Sequence, residues 1–277
     1  MDDLVSTGWL EQHLGEPDIA IVDSTIFMAA DGRDPAAEFA QAHIPGARFL
    51  DINAVSDKGH SAPHMLPSAD EFGAAMRDIG AGRDDRIILY DNSPLRSAAR
   101  GWFMLRHFGA ERVAILDGGF QKWRAEHRPV EQGPARPRTA RFDPAPRGDE
   151  VVTKQMLIEG TSVPILDARG RPRFEGSEPD PRPGVGSGHI PGSRNLPFAE
   201  LYRDDGTLKS EDDLRAAFDA AGVDPEAPFI ASCGSGVTAN SLIFAARRLG
   251  GRHARLYGGS WSESGADPAT PKVSGPA

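Results

Sequence analysis

Only one of the 277 residues is cysteine. A lone thiol can neither close an internal disulfide nor build a cysteine-rich metal site, and its isolation fits a reducing cytosol. Positive charge is also in short supply: 31 Lys and Arg stand against 40 Asp and Glu, a formal net charge of −9. That sign argues against nucleic acid or an anionic membrane as partner, although it leaves room for a local basic patch. No apolar run approaches the ~18 residues that a bilayer-spanning helix needs. The opening MDDLVSTGWLEQHLGEP lacks the basic start and apolar core of a signal peptide and reads as a short amphipathic helix. A soluble, cytoplasmic protein without membrane attachment is expected.

What is present is ordinary in amount and distinctive in order. Hydrophobic residues at 39% and charged residues at 26% match a globular protein. The length is about twice that of a typical domain, which favours two domains over one large α/β domain. Short apolar runs with the length and content of buried strands occur at residues 19–23 (IAIVD), 86–91 (RIILYD), 113–119 (VAILDGG), 163–169 (VPILDAR), 228–233 (PFIASC) and 254–259 (ARLYGG). Between them lie helical patterns such as RSAARGWFMLRHFG, SEDDLRAAFDAAG and ANSLIFAARRLGG, each ending near glycine. Strands alternating with helices predict an α/β fold with a mostly parallel sheet flanked by helices.

The order of signals repeats. VDSTIF followed by AHIPGARFLD in the first half is echoed by LDARGRPRF followed by GHIPGSRNLP in the second, with His43 and His189 146 positions apart. LDGGFQKW is echoed by LYGGSW, with Gly118 and Gly258 140 positions apart. Two motifs in the same order at nearly the same offset imply a duplicated domain. Residues 128–150, rich in Pro and Arg and without helical periodicity, are the natural connection. The expected division is an N-terminal domain at 1–135, a linker at 136–150 and a C-terminal catalytic domain at 151–277. The tail SESGADPATPKVSGPA is expected to be disordered or loosely attached.

If the two copies match strand for strand, Asp91 occupies the place of Cys233, and chemistry that needs a thiol belongs to the second copy. Cys233 lies in SCGSGVTAN, after an apolar strand and before a helix that begins near Thr238 or Ala239. A loop there collects unpaired backbone N–H groups and the positive end of the helix dipole. Gly234 and Gly236 let it curl so that its amides converge, a nest for negative charge. An ordinary cysteine is mostly thiol at neutral pH, and this setting favours the nucleophilic thiolate. The competing reading is a small buried hydrophobe, the usual fate of a single cysteine.

The loop CGSGVTA closely resembles the active-site loop of the rhodanese superfamily, in the form found among its 3-mercaptopyruvate sulfurtransferases. The resemblance extends over almost the whole chain: the tandem halves, both HIPG units, SDKGHSAPHMLP at 56–67, RFEGSEPDPRPG at 173–184 and the closing YGGSW. It implies tandem duplicated rhodanese-like domains, the first without the catalytic cysteine. It also implies transfer of sulfur from a donor to Cys233 and then, from the persulfide, to a thiol or cyanide, with no metal and no organic cofactor. The persulfide is expected to be held by the amides of residues 234 to 238, including Val237 and Thr238. Arg173 and Arg182 match the arginines that similar enzymes use for the carboxylate and ketone of mercaptopyruvate, a task suited to a planar guanidinium; without the resemblance they read as solvated loop arginines. Ser235 and His64 match residues proposed in this family to handle a proton together with an acidic residue. At the acidic position this chain has Asn53, with Asp51 and Asp57 near it in sequence.

Alternatives follow from the same loop. Thiosulfate sulfurtransferases usually carry cationic residues directly after the cysteine, where this chain has Gly234 and Ser235. Related phosphatases close a longer loop with an arginine six residues after the cysteine, and Ala239 stands there. A sulfur carrier loaded by a partner enzyme is the non-enzymatic reading. With no second cysteine to resolve a persulfide, an external acceptor such as thioredoxin or a small thiol is required. His60 and His64, four apart in a Ser/Pro-containing stretch, make a poor metal face; GAGRDD reads as a turn; His43 and His189 read as structural; and the tryptophans read as core.

Overall fold

The computed structural model describes residues Met1–Ala277. The apolar runs form the strands. β1 (Leu4–Val5), β2 (Ile19–Asp23), β3 (Arg48–Phe49), β4 (Arg86–Tyr90) and β5 (Val113–Leu116) make one sheet in the order β1-β5-β4-β2-β3. β6 (Val151–Val152), β7 (Ile165–Asp167), β8 (Arg194–Asn195), β9 (Ile230–Ser232) and β10 (Arg255–Tyr257) make a second in the matching order β6-β10-β9-β7-β8. Every pairing is parallel. Parallel neighbours need crossover connections, which the intervening helices supply, and both faces of such a sheet are covered. Hence Ile87, Ile88, Leu89 and Tyr90 of central β4 are all fully buried with no polar alternation.

The helices that follow the two central strands are buried on nearly every side, polar residues such as Arg100 and Asn240 included. In Ala98–His107 only Arg106 escapes full burial, and in Ala239–Arg248 the first eight residues are buried. By contrast, Ala69–Asp78 and Glu211–Ala220 are amphipathic surface helices. Each starts at a serine, Ser68 or Ser210, whose hydroxyl accepts the N–H three residues on. The duplicated histidines are structural: His43 Nδ1 meets Phe39 O at 2.8 Å and His189 Nδ1 meets Phe174 O at 2.9 Å, each ring stacked on that phenylalanine. Trp102, Trp123 and Trp261 are buried. No helix is long and apolar enough to cross a membrane.

The chain forms two compact units that are not contiguous in sequence. One comprises Met1–Ser56, Leu66–Arg147 and Arg203–Leu208; the other comprises Asp57–Met65, Gly148–Tyr202 and Lys209–Ala277. A segment from the first half, carrying His60 and His64, is thus part of the second unit, and a segment from the second half is part of the first. In that first unit Leu208 N donates to Asp117 Oδ1 at 2.8 Å and Lys122 pairs with Asp205.

Two segments behave differently from their sequence appearance. Residues 136–147, expected as linker, are bonded into the first unit: Arg138 donates to both carboxylate oxygens of Asp85, Phe142 is fully buried against Phe72, and Ala145 N reaches Phe108 O. The C-terminal tail, expected to be loose, is tied down in the second. Lys154 pairs with Asp267 at 2.7 Å, Val273 forms an antiparallel bridge with His189, and Gly275 N donates to Glu175 O. Low hydrophobicity hid both, because their attachment is mainly through hydrogen bonds and ion pairs.

Candidate active site

The ladders fix how the two copies correspond. Asp23 pairs with Tyr90 in the first sheet and Asp167 with Ser232 in the second, so the residues that follow, Asp91 and Cys233, are equivalent. Each begins the loop from the central strand to its buried helix. Phe120 N donates to Asp91 O, and Trp261 N donates to Cys233 O, both at 2.9 Å. This makes Ser260 the counterpart of Gly119, an offset of 141, one more than the alignment of Gly118 with Gly258 implies.

Cys233 is buried, with 1% of its surface exposed. Its loop is held from outside by its carbonyls. Trp261 N takes the carbonyl of Cys233, Ser262 N and Oγ take that of Gly234, and Asn240 Nδ2 donates to the carbonyls of Gly236 at 2.7 Å and Val237 at 2.8 Å. With these carbonyls turned to the scaffold, the amides of Gly234, Ser235, Val237 and Thr238 donate to nothing in the chain. The helix Ala239–Arg248 starts immediately after, so its N-terminal partial charge adds to theirs. Gly236, at φ 72°, makes the turn, and a Cβ there would lie 2.5 Å from the carbonyl oxygen of Gly258.

The amide of Gly236, expected to join this cradle, is engaged elsewhere: it and Cys233 N both donate to Ser260 Oγ at 3.1 Å. Ser260 is fully buried and sits at φ 49°, where its counterpart Gly119 has φ 57°. Its hydroxyl lies 2.9 Å from Tyr257 O and 3.8 Å from Cys233 Sγ, and its single proton can serve one or the other. Sequence reasoning missed Ser260, although the duplication contained the signal: a serine where the other copy has glycine.

The first unit shows what this kind of loop holds. Asp91 places its carboxylate in its own loop, Oδ1 accepting from Ser93 N at 2.9 Å and Oδ2 from Ala98 N, the first helical residue, at 2.8 Å. Burial pushes this carboxyl upward, while those amides and Arg96 oppose the shift. An aspartate Oδ is as many bonds from Cα as the outer sulfur of a cysteine persulfide.

The structure places the predicted partners as follows. His64, in the second unit, has Nδ1 2.9 Å from Ser235 Oγ and holds a left-handed φ of 60°; such strain in a non-glycine residue persists only where surrounding structure enforces it. His60, four residues earlier, reaches Glu263 at 3.6 Å. The acids near Asn53 serve the backbone: Asp51 caps the helix Ile52–Val55 through Ala54 N, and Asp57 Oδ1 accepts from Gly59 N. Asn53 belongs to the first unit.

Arg173 and Arg182 converge on Gly234. A Cβ on that glycine would lie 3.0 Å from Arg182 Nη2 and 3.4 Å from Arg173 Nη2, so a larger residue there requires the arginine side chains to shift. Between the two guanidinium groups lies Asp180, a residue that sequence reasoning did not single out. Arg173 is further placed by Arg169, which donates to its carbonyl, forms a buried ion pair with Asp167 at 2.8 Å and stacks over Trp261. No group of three or more His, Cys, Asp or Glu side chains is arranged to hold a metal ion.

The fold and site define a tandem α/β protein with one buried cysteine between a central strand and its helix, and comparison with known proteins gives its family. The Rhodanese-like domain family matches residues 6–126 and 151–266. The chain belongs to the rhodanese family. It is 42% identical over 268 residues to the 3-mercaptopyruvate sulfurtransferase of Escherichia coli strain K12, covering 95% of this chain and 94% of that one. It is also 36% identical over 270 residues to the thiosulfate sulfurtransferase of Bos taurus, covering 94% and 91%. Among solved structures it matches SseA from Escherichia coli with a TM-score of 0.86, 38% identity and 95% and 100% coverage, and Tum1 from Saccharomyces cerevisiae with 0.89, 28% identity and 99% and 98%.

Proposed function

We propose that the chain is a sulfurtransferase that takes sulfur from 3-mercaptopyruvate onto Cys233, releases pyruvate and passes the sulfur to a thiol or cyanide. The observation that carries this reading is the pairing of a single buried cysteine, in a loop whose amides at 234, 235, 237 and 238 are left open, with two arginines set against the adjacent Gly234. Relatives named for mercaptopyruvate transfer support the donor.

In the proposed reaction the Cys233 thiolate attacks the donor sulfur. An S–S bond forms, the C–S bond breaks, and its electron pair moves into the ketone as the enolate of pyruvate. The proton of the donor thiol passes to the enolate carbon, which leaves pyruvate and an anionic persulfide. Arg173 and Arg182 bind the carboxylate and the ketone oxygen, where negative charge grows as the enolate forms. His64 and Ser235 handle the proton. The open amides of residues 234, 235, 237 and 238 hold the persulfide, as the amides of Ser93 and Ala98 hold Asp91. Cyanide or an external thiolate then attacks the outer sulfur, the S–S bond breaks and the Cys233 thiolate returns. Because the chain has no second cysteine, a small thiol or thioredoxin is the physiological acceptor, and a reducing cytoplasm is the fitting compartment.

Thiocyanate formation from cyanide, with 3-mercaptopyruvate and with thiosulfate as donors, tests the reading on the wild type and on Cys233→Ser. The expected result is strong preference for mercaptopyruvate and no turnover by the variant. Preference for thiosulfate would move the chain to the alternative donor class. No reaction with either donor would leave a sulfur carrier loaded by a partner enzyme.

A further inference from the structure

Asp180 lies between the two arginines as a shared carboxylate. Arg173 Nη2 donates to Oδ2 at 2.8 Å, Arg182 Nη1 reaches Oδ1 at 3.0 Å and Oδ2 at 3.3 Å, and the Arg182 backbone N–H donates to Oδ1 at 3.0 Å. The Asp180 side chain is 1% exposed, against 23% and 22% for Arg173 and Arg182. The acid is therefore behind and the guanidinium groups are in front, with their Nη atoms toward Gly234. Burial disfavours the charged form of Asp180, but the hydrogen bonds and charges of its partners outweigh it and hold the carboxyl below its usual range. Arg173 Nε is buried and has no acceptor within the chain.

Two guanidinium charges and one carboxylate leave the cluster with a single net positive charge beside a nucleophile that must be anionic to react. A donor with one carboxylate neutralises that charge. A dianion would leave one negative charge uncompensated next to the thiolate, in a partly desolvated place where repulsion is weakly screened.

We propose that Asp180 is a specificity-determining residue that keeps the arginine pair at one net positive charge and so selects monoanionic α-keto acid donors over inorganic dianions. The proposal rests on the reading that small donors react directly at Cys233. Arginine alone would bind either class. The buried acid distinguishes them, and it also fixes both guanidinium planes, so that ligand binding does not have to order two long side chains.

The lone cysteine supplies a readout that needs no turnover, because iodoacetamide can alkylate only Cys233. Protection of Cys233 is measured as a function of pyruvate and of sulfate for wild type, Asp180→Asn and Asp180→Glu. Alongside, kcat/KM is measured for 3-mercaptopyruvate and thiosulfate. Wild type is expected to be protected by pyruvate at lower concentration than by sulfate. Asp180→Asn should move both the protection ratio and the donor kcat/KM ratio toward the dianion by about tenfold, the scale of one charge at partly screened distance. Asp180→Glu, which keeps the charge and shifts the geometry, should weaken both ligands and preserve the ratio. Should Asp180→Asn not fold, the smaller and equally uncharged Asp180→Ser carries the same expectation. Parallel losses for both ligands in the uncharged variant would overturn the proposal and leave Asp180 a structural clamp. If wild type turns over neither donor while protection still follows charge, the catalytic reading fails and the specificity of the arginine pair stands.

Discussion

At the residue scale, the clearest contrast between the copies is how each treats the aspartate that ends its second strand. Asp167 is neutralised by Arg169, whereas Asp23, at the same place, has Thr25 two residues on, and its Oδ1 accepts from the Thr25 amide and hydroxyl at 2.9 and 2.5 Å. Burial pushes the Asp23 carboxyl up to about 7; the Thr25 bonds resist, and the charge of Asp91 adds to the rise. Between pH 3.8, its ordinary value, and about 7, the native state therefore holds a proton that the unfolded chain releases. Stability from this group is fully present below pH 3.8 and falls as pH rises toward 7, at up to about 1.4 kcal/mol per unit. Asp23→Asn removes the titration. Urea unfolding from pH 4 to pH 8 should show the variant gaining on wild type by roughly 4 kcal/mol, with the difference level above pH 7; parallel curves would place the titration elsewhere. This contrast was not legible from sequence, because VDST and LDAR look alike as strand ends, and only the absence of a facing cation makes the first aspartate costly.

At the scale of elements, the longer strands and the helices packed on them were readable, since continuous apolar runs and 3.6-residue patterns are carried by many residues at once. The edge strands Leu4–Val5, Arg48–Phe49, Val151–Val152 and Arg194–Asn195 were not, because two residues contain no period. The cysteine loop was legible from its glycines and its place between strand and helix, but the short helix Ser260–Ser264 that braces it was read only as a repeat of GGF. Its first residue decides the loop's geometry. Ser260 holds a left-handed backbone at a cost of about 1–2 kcal/mol, and its hydroxyl satisfies two buried amides, each worth roughly 1–3 kcal/mol if orphaned. The hydrogen bonds outweigh the strain, so Ser260→Gly should destabilise by about 1–3 kcal/mol despite relieving the backbone. Ser260→Ala should lose about 1 kcal/mol more, since it keeps the strain and drops the hydroxyl. Chemical denaturation checks the order wild type, glycine, alanine; alanine at least as stable as glycine would mean that the loop does not depend on this conformation.

At the scale of the whole molecule, duplication was legible because whole motifs recur, whereas the exchange of segments was not, because it is a property of topology that leaves composition unchanged. The chain passes between units at 56–57, 65–66, 147–148, 202–203 and 208–209. The second unit consequently draws His64, the partner of Ser235, from the first half of the sequence. Cutting at the apparent boundary therefore takes from the second unit a segment of its own. A fragment of residues 148–277 keeps Cys233, Arg173, Arg182 and Asp180 and lacks the histidine and the backbone turn closed by Asp57 N and Met65 O. Its thiocyanate-forming activity should be at least about a hundredfold below that of the full chain, the usual contribution of a positioned proton-transfer group. Co-expression with residues 1–147 should restore it, because that fragment supplies the missing segment. The full chain with His64→Ala separates the two losses: if it is as impaired as the fragment, the exchanged segment acts through its histidine. If it retains most of its activity while the fragment is inactive, the segment acts by completing the fold of the second unit. Full activity from 148–277 alone would show that neither contribution is needed.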